Sequence, residues 1–233
     1  MILEDLVKYL RFEILDDFVS GWEAISEYDT DSQLLWSNES LARYINEAEK
    51  QAVRRSLLIK DYTTYTIDAV SGDHTYDIDD KIIRILDIDN DTDGLPLTGI
   101  EYDDVRGIQN WKSKTGTPSY YIVDYNSNTV RLYPTPDASH TLNLVVYRLP
   151  LEEQDWDASM SSAPEIRTEY HIPMLHYAAF LAYSKQDVDA FDPQKATYHL
   201  QQFNAEFTDT SAYSETRKRR QSNQTTKYGG LEF

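Results

Sequence analysis

Carboxylates at alternate positions are the first residues in this chain whose spacing could do chemistry. Asp89, Asp91 and Asp93, followed by Gly94, match the first half of a calcium-binding loop, in which alternating oxygens wrap a hard cation. The second half does not follow. Such a loop closes on a bidentate glutamate, and the position that should carry it is Ile100, with Glu101 one residue late. Pro96 interrupts the stretch that normally pairs between loops, and the flanks read as strand and turn, not as two helices. Aspartate, asparagine and glycine are also the residues that build turns. The reading adopted is a solvated turn without a bound metal.

The other reactive types are thinly spread. His171 and His176 are five residues apart, about 140° around a helix, so they do not share a face. His176 lies among apolar residues and reads as a core or interface histidine. His74, His140 and His199 lack neighbours at ligand spacing. Carboxylate pairs recur at Asp16-Asp17, Asp79-Asp80, Asp103-Asp104 and Glu152-Glu153, but among 40 acidic residues such pairs are expected on solvated loops. A glycosidase would need two of them facing each other across a substrate. The sequence has no G-x-S-x-G elbow, no phosphate-cradling glycine loop and no cysteine. It predicts no catalytic residue, no metal and no cofactor.

Charge gives the sharper signal. The chain carries a net −18, yet the stretch from Ser211 carries Arg217, Lys218, Arg219, Arg220 and Lys227 against Glu215 and Glu232, a net of +3. The remaining body, at −21, should repel nucleic acid and anionic membranes, since phosphate binding needs cations that displace counterions. The five basic residues are therefore read as a partner-binding segment, for an acidic protein surface in preference to DNA. Glu4 and Asp5 stand where a signal peptide would need positive charge, and no apolar run approaches the ~18 residues of a membrane span. The expectation is a soluble protein made in the cytosol.

The elements that would position these residues change period twice. Ile2, Leu3, Leu6, Val7, Leu10, Ile14 and Phe18 follow helical spacing, ended by Gly21. A second helix follows Ser37 as N-cap, with Leu41, Tyr44, Ile45, Ala48 and Ala52 as its apolar stripe. YTTYTIDAV then alternates, HTYDI and KIIRILDI read as strands, YYIVDY and TVRLYP flank a short hairpin loop at Asn126-Ser127-Asn128, and LNLVVYRLP is a further strand, predicting five or six strands. Helical spacing returns after Pro164. MLHYAAFLAYSKQ is apolar all round and should be central; Asp192-Pro193 opens a last helix with Ala196, Leu200, Phe203 and Phe207 as its stripe. The predicted fold class is α+β. Residues 1–60 and 164–210 form a helical bundle of N- and C-terminal helices, residues 61–150 an inserted antiparallel β-rich lobe, and residues 151–163 a linker. Residues 211–233 form a flexible basic tail.

Taken in order, several segments resemble the head-to-tail adaptor (connector or neck ring) proteins of tailed bacteriophages. They are W-S-N-E-S-L-A-R-Y-I-N-E-A at Trp36–Ala48, Tyr76-Asp77-Ile78 with the strand Ile82–Ile85, Gly116-Thr117-Pro118-Ser119-Tyr120, and Leu132-Tyr133-Pro134-Thr135-Pro136. Tyr147-Arg148-Leu149-Pro150, Pro164-Glu165-Ile166 before Tyr170-His171, and Ala182-Tyr183 leading to Lys185-Gln186-Asp187 complete the set. The acidic DIDNDTDG stretch and the basic tail lie outside the shared pattern. The resemblance implies a structural virion protein of the neck, assembled as a homo-oligomeric ring, commonly of twelve copies. Its partners would be the portal protein above and tail or neck proteins below, with double-stranded DNA passing through the ring without specific binding. No catalytic residues carry over. The 18 tyrosines suit protein interfaces. Two rival readings are a tail terminator or tube-completion protein, and a tail-associated glycan-binding module or glycosidase.

Overall fold

In a computed structural model the described residues are 1–17, 34–159, 161–187 and 189–208. They divide into two compact units: the described parts of Met1–Leu58 with Pro150–Phe233, and Ile59–Leu149.

The first unit is helical. Helix α1 (Leu3–Tyr9) buries Leu3, Leu6 and Val7, and the chain continues into a π-helical segment at Leu10–Leu15. The wider turn brings Arg11 inward with Leu10 and Leu15. The segment ends at Asp16, in the left-handed region at φ 53°, short of the terminator expected at Gly21. Gly21 and Phe18 lie outside the described residues. The early end has a local cause. Arg11 is fully buried and spends its guanidinium on the Asp17 carboxylate, on the Trp36 carbonyl at 2.8 Å and on Asn38 Oδ1 at 2.8 Å. Asp17 also accepts the Leu35 N–H at 3.0 Å. Continuing the helix would carry Asp17 away from this network.

Helix α2 (Asn38–Ser56) starts as expected, with Ser37 Oγ accepting the Ser40 N–H at 3.2 Å. Its buried face holds Leu41, Ile45, Ala48 and Ala52, but also Asn46 and Glu49. A short helix, α4 (Trp156–Ser159), lies in the stretch read as a plain linker; α3 (Tyr102–Val105) belongs to the other unit. Helix α5 (His171–Ser184) is apolar on nearly every side and packs against α1, α2 and α6. Trp36 donates to the Ala182 carbonyl at 3.3 Å and meets Tyr183 edge-on. Helix α6 (Pro193–Glu206) opens on Asp192, which accepts the N–H groups of Gln194 and Lys195 at 3.0 Å each. It buries Ala196, His199 and Phe203, followed by Phe207; Leu200, expected in the stripe, is only half-buried and His199 takes its place. Phe203 and Phe207 are 0% and 1% exposed, and each such ring contributes roughly 2–3 kcal/mol of burial.

The second unit is a curled sheet of eight strands, two or three more than the alternation predicted. They are β1 (Lys60–Asp61), β2 (Thr66–Ala69), β3 (Thr75–Asp77), β4 (Ile82–Asn90), β5 (Leu95–Gly99), β6 (Tyr120–Val123), β7 (Thr129–Tyr133) and β8 (His140–Arg148). The order is β1-β8-β4-β5-β6-β7-β3, with β2 also on β8. The extra strands are those the pattern could not carry: β1 is two residues long, and β5 contains Pro96 and buries only Leu97. The sheet is mixed, which corrects the antiparallel expectation. β5 and β6 run parallel, Thr98 opposite Tyr120 and Gly99 opposite Tyr121. Residues 100–119 between them, including helix α3 (Tyr102–Val105) and a 3-10 turn at Trp111–Ser113, supply the long crossover a parallel pair requires. Leu142, Leu144 and Val146 of β8 share one core with Ile85 and Ile88 of β4 and Val130 and Leu132 of β7. A second cluster gathers Val105, Trp111, Ile122 and Tyr133. Strand β7 separates the two, and all five of its residues are buried.

Candidate functional site

Of the acidic stretch, residues 87–90, with Asp89, are the end of β4, and residues 91–94 form the turn to β5. Asn90 organises it: Oδ1 accepts the N–H of Thr92 at 3.1 Å and of Asp93 at 3.4 Å, while its carbonyl accepts the Gly94 N–H at 2.7 Å. Gly94 sits at φ +68°, where a side chain would be strained. The carboxylates are tied to neighbours. Asp91 accepts the Asn143 amide at 2.5 Å, and Asp93 accepts the Asn90 amide at 2.8 Å while lying 3.4 Å from His140 Nδ1. Among the described residues no three His, Cys, Asp or Glu side chains gather as a metal-ligating group. Beside the turn lies a half-open cleft of about 260 Å³, lined by Asp93, Leu95, Pro96, Pro118 and Tyr120 among others. Its Ser119 hydroxyl donates to the Thr117 carbonyl at 3.4 Å, not to the Asp93 carboxylate.

Folding brings His176 and His199 together from α5 and α6, their Nδ1 atoms 3.0 Å apart and ring centres 5.2 Å apart. That centre distance is close to the Nδ1 gap plus two ring radii, so the nitrogens face one another along a shared N–H···N bond. Burial, then the neighbouring His176 and Lys195, pull His199 down to about 4. Burial also lowers His176. His171 donates from Nε2 to the Ile166 carbonyl at 2.9 Å. These contacts hold helices and connections in place.

Three polar residues that sequence reasoning passed over hold the connection after residue 150. Asn46 clasps the Gln154 backbone twice, donating to its carbonyl at 2.7 Å and accepting its N–H at 3.1 Å. Glu49, 3% exposed, accepts the Ile166 N–H at 3.3 Å. Burial pushes its carboxyl up to about 7, against the lowering effect of the Ile166 and Glu165 backbone N–H groups. Lys50 pairs with Glu153. In sequence, Asn46 and Glu49 sit one position after Ile45 and Ala48, a signal that the apolar stripe is wider than its apolar members. In the sheet unit, Asp61 bonds Arg148 Nε at 2.6 Å and Thr64 Oγ1 at 2.6 Å. Burial opposes its charge, but the Thr64 hydroxyl, the Thr63 N–H and Arg148 prevail and hold the carboxyl far below its usual range.

On the far face of β7, Tyr102, Trp111 and Tyr125 stand 5.9–6.3 Å apart, centre to centre. The Arg131 guanidinium lies in the corner between Trp111 and Tyr125, 4.8 Å from each ring. Its Nη1 is 3.3 Å from His74 Nδ1.

The basic residues Arg217, Lys218, Arg219, Arg220 and Lys227 lie outside the described residues. No helix among the described residues is long and apolar enough to cross a membrane. What these residues amount to is a polar framework that fixes helices and strands, without a reaction centre assembled among them. No curated protein matches the chain. The family model described as SU10 adaptor protein matches residues 1–227, nearly the full length. The chain therefore belongs to the SU10 adaptor protein family, a family of bacteriophage adaptors with a structural role.

Proposed function

We propose that the protein is a head-to-tail adaptor of the virion neck. Copies assemble side by side as a closed ring, of about twelve, beneath the portal protein, extend the DNA channel and offer a docking surface to the tail. The observation that carries the reading is the family match over residues 1–227. The helices of residues 1–60 and 164–210 form the bundle through which neighbours touch, each contact heterologous and closing the ring by rotation. The body's net negative charge supports a channel lined by carboxylates, along which duplex DNA slides, since cationic contacts would grip it. The basic residues Arg217, Lys218, Arg219, Arg220 and Lys227 engage the portal or a neighbouring copy.

The test is a mass measurement of the purified protein alone and mixed with portal, followed by imaging. Rings seated on the portal are the expected result, and a monomer inert toward portal rejects it. Deleting residues from Ser211 onward should weaken portal binding and leave the body folded; unchanged binding would remove the role given to the tail.

A further inference from the structure

Strand β7 presents Arg131 and Tyr133 on one face, two residues apart, toward the Trp111 cluster. Both are almost wholly buried, at 3% and 2% exposure. Neither has its full set of partners. Arg131 Nε and Tyr133 Oη are buried without a hydrogen-bond partner among the described residues. Arg131 also has no carboxylate within ion-pair distance among them, its one hydrogen bond going to neutral-leaning His74. Buried guanidinium groups are nearly always paired with an anion, and unmet buried donors call for a specific explanation.

The three rings supply part of it. Tyr102, Trp111 and Tyr125 make an aromatic cage whose cation is Arg131 itself, so the cage is closed to an external cation. Cation–ring contacts use the faces of the guanidinium plane and leave its in-plane Nε–H unspent. The unspent groups here are a guanidinium N–H and a phenol hydroxyl, both donors of the kind that binds an oxyanion. Two exposed lysines stand at the same cluster, Lys112 Nζ 5.7 Å from the Trp111 ring centre and Lys114 Nζ 5.8 Å from that of Tyr133. Tyr102, 43% exposed, covers the cage from the solvent side on the four-residue helix α3.

We propose that this niche is an anion receptor that takes the carboxylate of an acidic segment on a partner protein, with Arg131 and Tyr133 as its donors and Lys112 and Lys114 as its rim. Because Arg131 and Tyr133 are buried, a single side chain enters by rotation of the exposed Tyr102. The chain's net −18 disfavours an extended polyanion such as DNA. That the carboxylate comes from a protein rests on the adaptor reading. The site itself does not, and it is tested on the isolated full-length chain.

The probe is a Gly-Glu-Gly peptide blocked at both ends, which carries a single carboxylate, titrated at low salt while the Arg131 Nε–H resonance is followed by NMR. Inorganic phosphate and a short DNA duplex form parallel arms. The expected result is a saturable shift of that resonance with the peptide, outrunning either phosphate source. Tyr133→Phe removes the hydroxyl and keeps the ring packed, and should weaken the peptide about fivefold, the loss of one hydrogen bond. Lys112→Ala with Lys114→Ala should weaken it further as salt is lowered, because the rim attraction is screened at high salt. A resonance that does not move, an unchanged affinity in Tyr133→Phe, or a response to phosphate or duplex in place of peptide would each overturn the proposal. Failure here leaves the ring and portal experiment untouched.

Discussion

Glu49→Gln is the substitution whose effect depends most on pH. Glu49 faces inward from α2 at 3% exposure and accepts the Ile166 N–H. Its carboxyl ionises at about 7 in the folded chain, against an ordinary 4.5. Between those values the folded protein holds a proton that the unfolded chain has released. Stability is therefore full below about pH 4.5, falls as pH rises, and has lost roughly 3 kcal/mol once the folded group ionises. Glutamine keeps a carbonyl for the Ile166 N–H and never ionises. Near pH 5 the substitution should change stability by less than about 1 kcal/mol, and near pH 8 it should stabilise by roughly 3 kcal/mol. Urea unfolding of both proteins at the two pH values, followed by far-ultraviolet circular dichroism, reads the difference. A carbon-13 label on the Glu49 carboxyl should show a transition near neutrality in the wild type. An equal stability difference at both pH values, or a carboxyl that titrates in the usual range, refutes the reasoning.

Other substitutions probe the rest of the framework. His199, pulled down to about 4 from 6.5, works in the opposite sense: its contribution is present above about pH 6.5 and is lost as pH falls through about 4. His199→Gln should therefore flatten the acid limb of a stability–pH curve by roughly 3 kcal/mol, measured by the same unfolding assay from about pH 4 to 7. Asp61→Asn leaves Arg148 without its carboxylate and should cost about 3–5 kcal/mol near neutral pH, with the difference from wild type shrinking in strong acid. Arg11→Met strands Asp17 and the Trp36 and Asn38 acceptors, so a loss of about 3–5 kcal/mol is expected in thermal or urea unfolding. Gly99→Ala puts a Cβ 3.0 Å from the Tyr121 ring in the sheet, and overpacking there should cost about 1–3 kcal/mol.

Features carried by local chemistry were legible in the sequence. Ser37 and Asp192 cap the helices they were read to cap, because a short side-chain oxygen before a helical period has few other uses. The long strand β8 shows its alternation plainly, β4 breaks its own at two register shifts, and residues 91–94 of the DIDNDTDG stretch form the turn its composition predicts. What stayed hidden depends on tertiary pairing. The bonds made by Glu49, Asn46 and Arg11 carry no signal in the sequence, because the backbone groups and acids these residues serve are brought beside them only by folding. The parallel β5–β6 pair follows from the path of residues 100–119, which no period records. The end of the first helical segment was missed because a π turn shifts the periodicity by one residue. Arg131 stands in an alternating strand where its outward neighbours should be solvated, and only the Trp111 cluster explains its burial.

β7 gives the sheet unit an uneven tolerance to sequence drift. Thr129, Val130, Arg131, Leu132 and Tyr133 are all enclosed, the two aliphatic ones on one flank and the other three on the opposite flank. Elsewhere in the sheet an exchange on the solvated side is nearly silent, as at Thr141 on β8. This strand has no such side, so a saturation scan of the protein should show five consecutive intolerant codons there, a keystone between arches that otherwise wear independently.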